Sequence, residues 1–380
     1  MRAFVLDDET LGRQAGRFVW LAIDTDHPVN APFVDRFTVD ALPSFLVIDP
    51  ATETPVLRFV GGATLGQMLQ ILDDGERAIG PMPAGGVERL LRDADLLNGR
   101  AKSAEAAQAY QQALAQAPPD WPAYRRAAES LVLALQIADD PGGCARAAQQ
   151  HYPKLGRSPS AGNVAATGLF CAVELPDDDA EAGSLRSSLE QACQSVVADA
   201  GVEMADDDRS GVYMALIEAR DKAKDAEGAR RLRLSWAEFL EKAASAAADA
   251  EGRAVFDSHR LTAYLALGEP ARAIPMLEAS ERDLPWDYNP SRRLAVAYKE
   301  LKRYDDALAA TDRGLPKVSG ASKVRLLSTR ADIYEAQGDK ATARTTIEQA
   351  IREAETLPAT ARNEEQIKRL KGRLEKLGTK

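Results

Sequence analysis

The feature that most restricts the fold of this chain is a repeat of about 34 residues in its last third. The segment "AYLALGEPARAI" at 263–274 aligns with "AYKELKRYDDAL" at 297–308, so that Tyr264 matches Tyr298 and Ala273 matches Ala307. A third segment, "DIYEAQGDKATAR" at 332–344, follows at nearly the same spacing. Two landmarks in one register predict a repeating unit of two helices, which buries its apolar face only by stacking on its neighbours.

These residues resemble the tetratricopeptide repeat, a helical hairpin in which small and large residues recur at fixed positions. Residues 87–120 fit that pattern well, and the side chains at its defining positions are Ala94, Leu97, Ala106, Tyr110, Ala113 and Pro118. Alanine lets the two helices approach closely, while the large residues insert into the next unit. The resemblance implies an all-α tetratricopeptide-type solenoid over 87–380, clearest at 87–120 and 260–350, with irregular helical hairpins between 121 and 250.

The segment 1–80 has a different pattern. Three short apolar segments bounded by Asp, Pro or Gly predict strands, and these are "RFVWLAID" (17–24), "SFLVIDP" (44–50) and "PVLRFVGG" (55–62). Apolar residues at helical spacing predict helices over 1–14, 30–37 and 64–79. The predicted order is therefore helix, strand, helix, strand, strand, helix.

With its elements in this order, the segment 1–80 resembles a thioredoxin fold that lacks its first strand and active-site turn. In that family a cis-proline begins the strand after the second helix, and the main chain just before it pairs with bound peptide. Pro43, preceded by Leu42 and followed by Ser44, matches that position. The resemblance implies an incomplete α/β thioredoxin-like small domain over 1–80. It also implies a cis bond before Pro43, with Leu42, Pro43 and Ser44 as candidate peptide-binding residues.

The C-x-x-C motif of the thioredoxin family has no counterpart here, because the first cysteine of the chain is Cys144. Disulfide exchange requires a thiolate, so we expect no catalytic residue in the chain as written. Met1 could be an internal methionine of a longer product that carries the motif upstream, or a homologue could have lost the segment. Cys144, Cys171 and Cys193 lack the paired spacings of a disulfide framework or zinc site, so we expect small buried side chains.

Composition argues against several other functions. The formal net charge is −10, and no run of Lys and Arg interleaves with aromatics, which disfavours nucleic acid as a partner. No apolar stretch approaches the ~20 residues that span a bilayer, and the start of the chain does not form an export signal. We therefore expect a cytoplasmic chain, or a periplasmic one if an upstream signal segment is missing. The scattered histidines and acidic clusters predict no metal site and no cofactor.

The concave groove of the helical array is the best candidate for a binding site. Stacked helix pairs curve, and their first helices line a surface suited to a peptide or a partner helix. The groove-facing positions of the late repeats include Arg292, Val296, Lys299 and Arg325, which form a mixed surface. The pattern lacks the Lys and Asn pair with which some family members hold a carboxylate peptide end. The basic tail at 362–380 is predicted to be the closing helix of the array.

The sequence therefore predicts a non-catalytic protein or peptide-interaction protein, in which a thioredoxin-like domain is fused to a tetratricopeptide-type scaffold. One alternative is a thiol-disulfide oxidoreductase, or a disulfide-reducing chaperone, whose cysteines lie upstream of the first residue. Another alternative is a substrate-handling helical domain for an unrelated hydrolase.

Overall fold

The computed structural model describes residues 5–25, 28–37, 39, 42–81, 85–357 and 362–378. The chain divides into two compact units. The first unit comprises Met1–Phe18 and Thr38–Trp236, and the second comprises Val19–Phe37 and Ala237–Lys380. Helices predominate in both units, and in the described ranges none is long and apolar enough to cross a membrane.

A strand hairpin and a helix form the N-terminal part of the first unit. Strand β1 (Ser44–Asp49) pairs antiparallel with β2 (Thr54–Val60), with Ser44 opposite Val60 and a register shift after Val47. Helix α3 (Leu65–Ile79) follows, and Thr64 and Gln67 form a capping box at its start. The three elements bury one apolar core, and we refer to them together as the βα element. This core includes Val47, Val56, Leu57, Phe59, Met68, Ile71 and Leu72.

The predictions for the segment 1–80 are confirmed only in part. Strands β1 and β2 and helix α3 form where they were predicted, and α2 (Ala31–Arg36) lies within the predicted helix at 30–37. The predicted helix at 1–14 is reduced to α1 (Glu9–Gly12) among the residues described. The Leu42–Pro43 peptide bond is cis, as the resemblance implied.

The predicted strand at 17–24 is wrong. Residues 19–24 form no ladder, and Ala15 and Phe18 make only an isolated bridge. Val19 and Leu21 stay exposed, because apolar alternation does not produce a strand where no neighbouring strand supplies hydrogen bonds. In the described part of the chain the sheet has two strands, so the expected thioredoxin-like α/β domain is not established.

The rest of the first unit consists of helical hairpins around one continuous apolar core. Its helices are α4 (Gly86–Gly99), α5 (Ser103–Gln116), α6 (Tyr124–Ile137), α7 (Pro141–His151), α8 (Pro159–Glu174), α9 (Ala182–Ala198) and α10 (Asp206–Lys222). The division between the units falls within α11 (Ala226–Ala246), after Trp236. The predicted pattern positions Ala94, Ala106, Tyr110 and Ala113 are fully buried between α4 and α5. These contacts confirm the close approach of two helices that the alanines predicted.

The helices of the second unit continue the hairpin pattern. They are α12 (Ala250–Ala254), α13 (Asp257–Leu267), α14 (Ala273–Asp283), α15 (Asn289–Glu300), α16 (Tyr304–Gly314), α17 (Gly320–Gln337), α18 (Lys340–Glu355) and α19 (Glu364–Gly378). Gly268 and Gly338 end α13 and α17 in the left-handed conformation, which only glycine adopts at little cost. Ile367 and Leu370 of α19 are buried in the last core cluster, so the basic tail is a closing helix, as predicted.

Two of the three cysteines form a disulfide, which corrects the prediction for them. Cys144 on α7 and Cys171 on α8 are joined across 27 residues of sequence, with their Cα atoms 6.1 Å apart. Helix pairing brings together residues that are distant in sequence, so the spacing of cysteines along the chain did not reveal this pair. Cys193 on α9 is buried and unbonded, as expected.

Candidate functional site

The residues around the cis-proline lie at the surface. Leu42 is 69% exposed and Pro43 is also exposed, while Ser44 is half-buried at the start of β1. The Pro43 carbonyl accepts a hydrogen bond from the Gly61 amide at 2.9 Å. The exposed apolar side chain of Leu42 is therefore available for the peptide contact that was predicted for this segment.

The first helix of each hairpin in the first unit contributes to one common face. Helices α6 and α8 pack side by side, and so do α8 and α10, while Arg126 of α6 contacts Asp95 of α4. We refer to the surface of α4, α6, α8 and α10 as the first concave face. This is the kind of surface that the repeat pattern predicts for ligand binding.

The βα element occupies the first concave face. Asn98 of α4 donates a hydrogen bond from Nδ2 to the Arg58 carbonyl of β2 at 3.3 Å. Gly99 lies so close to β2 that a β-carbon there would sit 2.8 Å from the Pro55 carbonyl oxygen. The cavity that remains between β2, α4 and α6 has a volume of about 10 Å³, which is room for about one water molecule. The contact is therefore closely packed.

Arg126 links the βα element to the helices beneath it. Its Nη1 and Nη2 atoms donate to the two carboxylate oxygens of Asp95 at 2.8 and 2.9 Å. Its Nε atom lies 2.6 Å from Oδ2 of Asp74, a residue of α3. The Tyr110 hydroxyl donates to Asp95 at 2.7 Å, and burial raises the pKa of this hydroxyl well above its ordinary value. Arg126 thus pairs with two buried carboxylates from different elements, and Asp74 is paired in addition with Arg77 of its own helix.

Glu129 forms a second polar link to the βα element. Its carboxylate accepts hydrogen bonds from Ser160 at 2.6 Å and Asn163 at 2.7 Å, both on α8, and from Gln67 of α3 at 3.4 Å. Burial raises the pKa of Glu129 although the bonds from Ser160 and Asn163 oppose that shift. Four polar side chains from three helices therefore form this hydrogen-bonded contact around Glu129.

Asp208 at the start of α10 faces Gly62, which follows β2. Its carboxylate fills the space that a β-carbon at position 62 would occupy. Burial, followed by the nearby charges of Asp207 and Glu129, raises the pKa of Asp208 to about 7. The element contacts α4 and α6, and the loop after β2 contacts α10, so the protein's own chain covers this part of the first concave face.

The second unit carries the other predicted groove residues on α15 and α17. Arg292, Val296 and Lys299 are half-buried, and their spacing of four and three residues places them on one stripe of α15. We call these three residues the α15 stripe. Arg325 is exposed near the start of α17 and donates from Nη2 to the Ser322 hydroxyl at 2.9 Å. None of the four is buried.

The cationic side chains of α15 differ in whether they pair with a carboxylate. Lys299 Nζ lies 3.0 Å from a carboxylate oxygen of Glu300. The side chain of Arg292 makes no hydrogen bond and no ion pair with any residue that the structure describes, and its Nε atom is buried without a partner. Arg293 beside it is largely buried, and that burial lowers its pKa although Asp257 and Asp287 are nearby.

The closing helix neutralises the acidic residues of the same surface, which the sequence patterns did not reveal. Arg373 of α19 lies 2.6 Å from Oδ1 of Asp332 and 2.9 Å from Oε1 of Glu335, both on α17. It also donates to the Ser328 hydroxyl at 3.3 Å. Burial raises the pKa of Asp332, while the charges of Arg373 and Lys299 oppose that shift. In the sequence, only the basic composition of the tail at 362–380 pointed to these ion pairs.

The acidic and sulfur-containing side chains that the structure describes do not converge on a metal site. No group of three or more His, Cys, Asp and Glu side chains there could hold a metal ion. The acidic cluster at 205–210 provides the first turn of α10, with Asp206, Asp207 and Asp208 at the positive end of the helix dipole. The cluster at 176–181 precedes α9, and Asp179 accepts hydrogen bonds from the amides of Glu181 and Ala182.

Comparison with known proteins supports the helical-repeat architecture. Residues 264–330 match the model of the tetratricopeptide repeat family, and this range lies within the second unit. No curated protein matches the chain. The chain therefore contains helical repeats of the tetratricopeptide type.

Several solved structures are similar to the chain at low identity. A tetratricopeptide repeat protein from Parabacteroides merdae is 14% identical over 77% of this chain and 99% of its own, with a TM-score of 0.44. The TPR2AB domain of yeast Sti1, solved in complex with pHSP90, is 13% identical over 77% and 98%, with a TM-score of 0.28. The assembly chaperone of RpL4, Acl4, is 12% identical over 77% and 98%, with a TM-score of 0.37.

Proposed function

We propose that this chain is a non-catalytic scaffold that binds a protein or peptide on the α15 and α17 surface of its second unit. The observation that carries the proposal is the difference between the two surfaces. The first concave face is filled by the βα element, whereas Arg292, Val296, Lys299 and Arg325 keep accessible side chains. A tetratricopeptide-type surface with accessible cationic and apolar side chains suits a protein ligand.

In this proposal the two parts of the chain have separate roles. Residues 1–80 act as an incomplete thioredoxin-like domain that stabilises the first concave face. Residues 87–380 form the helical-repeat domain. Leu42, Pro43 and Ser44 serve as a secondary peptide contact, supported by the exposure of Leu42.

We place the protein in an oxidising compartment such as the periplasm. The support for this placement is the disulfide between Cys144 and Cys171, because structural disulfides persist mainly where thiols are not kept reduced. A cytoplasmic location is the competing proposal, in which the same two cysteines would be buried thiols.

Photo-crosslinking in the full-length chain tests the binding surface. A photoreactive amino acid replaces Val296 on α15, Leu42 before the cis-proline, or, as a control, the exposed Gln349 on α18. We expect a discrete crosslinked partner from Val296, a weaker one from Leu42 and none from Gln349. Equal crosslinking from Val296 and Gln349 would show that the α15 and α17 surface has no special role.

A further inference from the structure

We propose that the segment joining β2 to α3 is a pH-dependent latch, which holds this end of the βα element on the first concave face while Asp208 is protonated and releases it when Asp208 ionises. The segment comprises residues 61–64, and we call it the β2–α3 joint. The inference goes beyond the proposed function, because every residue involved belongs to the first unit, whereas the proposed binding surface lies on the second.

The β2–α3 joint fits closely against the start of α10. Gly61 has φ 107°, in the region that favours glycine, and its amide donates to the Pro43 carbonyl at 2.9 Å. Ala63 is fully buried. Between them, Gly62 leaves open the space of a β-carbon, and the carboxylate of Asp208 occupies that space. The charge state of Asp208 therefore acts directly on the contact between the joint and α10.

Asp208 faces acidic groups on two helices. Asp207 precedes it on α10, and Glu129 reaches the same region from α6, while the positive charge of the amino terminus acts in the opposite direction. Glu129 accepts hydrogen bonds from uncharged side chains of α8 and α3. Arg126 acts on Glu129 through its charge, but its guanidinium is paired with carboxylates of α3 and α4. Neither Asp208 nor Glu129 forms an ion pair with a residue that the structure describes.

Ionisation of Asp208 therefore adds a negative charge to a contact that already contains carboxylates and leaves little room for water. Glu129 lines the small cavity between β2, α4 and α6. Burial and the two acidic neighbours raise the pKa of Asp208 to about 7. When the joint moves away from α10, the carboxylate meets solvent and regains its ordinary pKa of 3.8. The closed state thus binds the proton more tightly, and closure weakens as pH rises through 7.

The other end of the βα element is held by a contact of a different kind. Arg126 pairs with Asp74 in the second half of α3, and a guanidinium keeps its charge at every pH in this range. We therefore expect the release to begin at the β2–α3 joint. It would uncover the carboxylate of Glu129 and the α8 side chains that bind it.

Thiol labelling of the full chain measures the opening of the joint. Ala63→Cys places a thiol at a position that is fully buried when the joint is closed. Its rate of reaction with iodoacetamide is divided by the rate of a free cysteine peptide at the same pH, which removes the ordinary titration of a thiol. We expect this ratio to rise about tenfold from pH 6 to pH 8, because the closed state loses its proton across this range.

The buried thiol of Cys193 on α9 is an internal control for unfolding of the first unit. It should react at least about tenfold more slowly than the introduced thiol at pH 8, because local opening requires less free energy than global unfolding.

Three substitutions in the Ala63→Cys background identify the group that titrates. Asp208→Asn should keep the ratio low at both pH values, because the amide stays uncharged. Asp206→Asn is the matched control, since this side chain is exposed on the same turn of α10, and it should keep the tenfold rise. Gly62→Ala should raise the ratio at both pH values, because the added carbon displaces the Asp208 carboxylate.

Hydrogen exchange of the unsubstituted chain repeats the test without an added thiol. Amides of β2 and of the first half of α3 should lose about tenfold in protection from pH 6 to pH 8, and their protection should fall below that of α7, α8 and α9. A labelling ratio that does not change with pH, or the same rise in the Asp208→Asn protein, would overturn the inference. Equal labelling rates at position 63 and at Cys193 would also overturn it, because the joint would then open only with the whole unit.

Discussion

Arg126 is the residue on which the polar contacts beneath the βα element depend. It is buried and pairs with Asp74 from α3 and Asp95 from α4. Removal of one partner from such a group leaves uncompensated buried charge, which costs more than the intact group contributes. Arg126 therefore contributes to holding the element on the first concave face, together with Asn98 and Glu129.

We expect Arg126→Met to lower the free energy of unfolding by about 3–5 kcal/mol, because Asp95 would remain buried without a cation and Asp74 would keep only the exposed Arg77 as its partner. Urea denaturation measures the change. The exposed neighbour Arg125→Met is the control and should change the stability by less than about 0.5 kcal/mol. A loss below about 1 kcal/mol for Arg126→Met would mean that the network is relaxed or hydrated.

Asp208 should make the stability of the first unit depend on pH. Its folded-state pKa of about 7 lies above the ordinary value of 3.8, so the folded chain holds the proton more tightly than the unfolded chain. The stabilisation is fully present below pH 4 and is lost as pH rises through 7. Between these limits it falls by up to about 1.4 kcal/mol per pH unit.

Asp208→Asn should flatten this dependence, because the amide does not titrate. Urea unfolding of both proteins at pH 5 and pH 7.5 would measure it, and the variant should be the less pH-sensitive. Glu129 stays in both proteins, but its charge also raises the pKa of Asp208, so the comparison measures the titration of this coupled pair. An identical pH dependence in the two proteins would contradict the raised pKa of Asp208.

At the scale of elements, the contact between α4 and β2 depends on a residue without a side chain. Gly99 faces the Pro55 carbonyl, and a β-carbon there would approach this oxygen to 2.8 Å. Backbone atoms on a paired strand cannot move aside as the end of a flexible side chain could. The close approach of helix and strand therefore requires glycine at this position.

We expect Gly99→Ala to weaken the docking of the βα element by about 1–3 kcal/mol, the usual cost of an added methyl group in a close contact. Hydrogen exchange should speed up in β1, β2 and α3 but not in α13 to α19. Gly183→Ala on α9 is the control, because no atom lies within 4 Å of the added carbon. Unchanged exchange in β2 would show that the contact can relax.

At the scale of the whole molecule, thiol accessibility distinguishes a scaffold from an oxidoreductase. Cys144 and Cys171 are joined and fully buried, and burial raises the pKa of the Cys193 thiol, which keeps it protonated. Neither arrangement supplies the accessible thiolate that disulfide exchange needs. The disulfide closes a loop of 27 residues between Cys144 and Cys171, and this should also stabilise the fold by about 3–4 kcal/mol.

Ellman's reagent should therefore react with no thiol in the native chain, one in the unfolded chain and three after reduction and unfolding. An insulin-reduction assay on the same sample should show no activity. A fast-reacting thiol in the native chain, or two or more thiols in the unfolded chain before reduction, would contradict the disulfide.

Much of the architecture could be predicted from the sequence because it depends on local patterns. The regular spacing of Tyr264, Tyr298 and Tyr334 predicted the helical hairpins, and the buried positions of Ala94 and Tyr110 followed from the repeat pattern. The hairpin of β1 and β2 and the helix α3 were predicted from short apolar segments and their boundaries. In each case the residues that determine the structure are close together in the chain.

The tertiary structure alone decided which surface is occupied, which cysteines pair and which cations lack a partner. The strand expected at 17–24 is absent because a strand requires hydrogen bonds from a neighbour that sequence periodicity does not specify. The pairing of Cys144 with Cys171, and of Arg373 with Asp332, joins residues that are distant in sequence. The physical reason is that periodicity reports how a segment folds on itself, whereas contacts between segments depend on their packing in three dimensions.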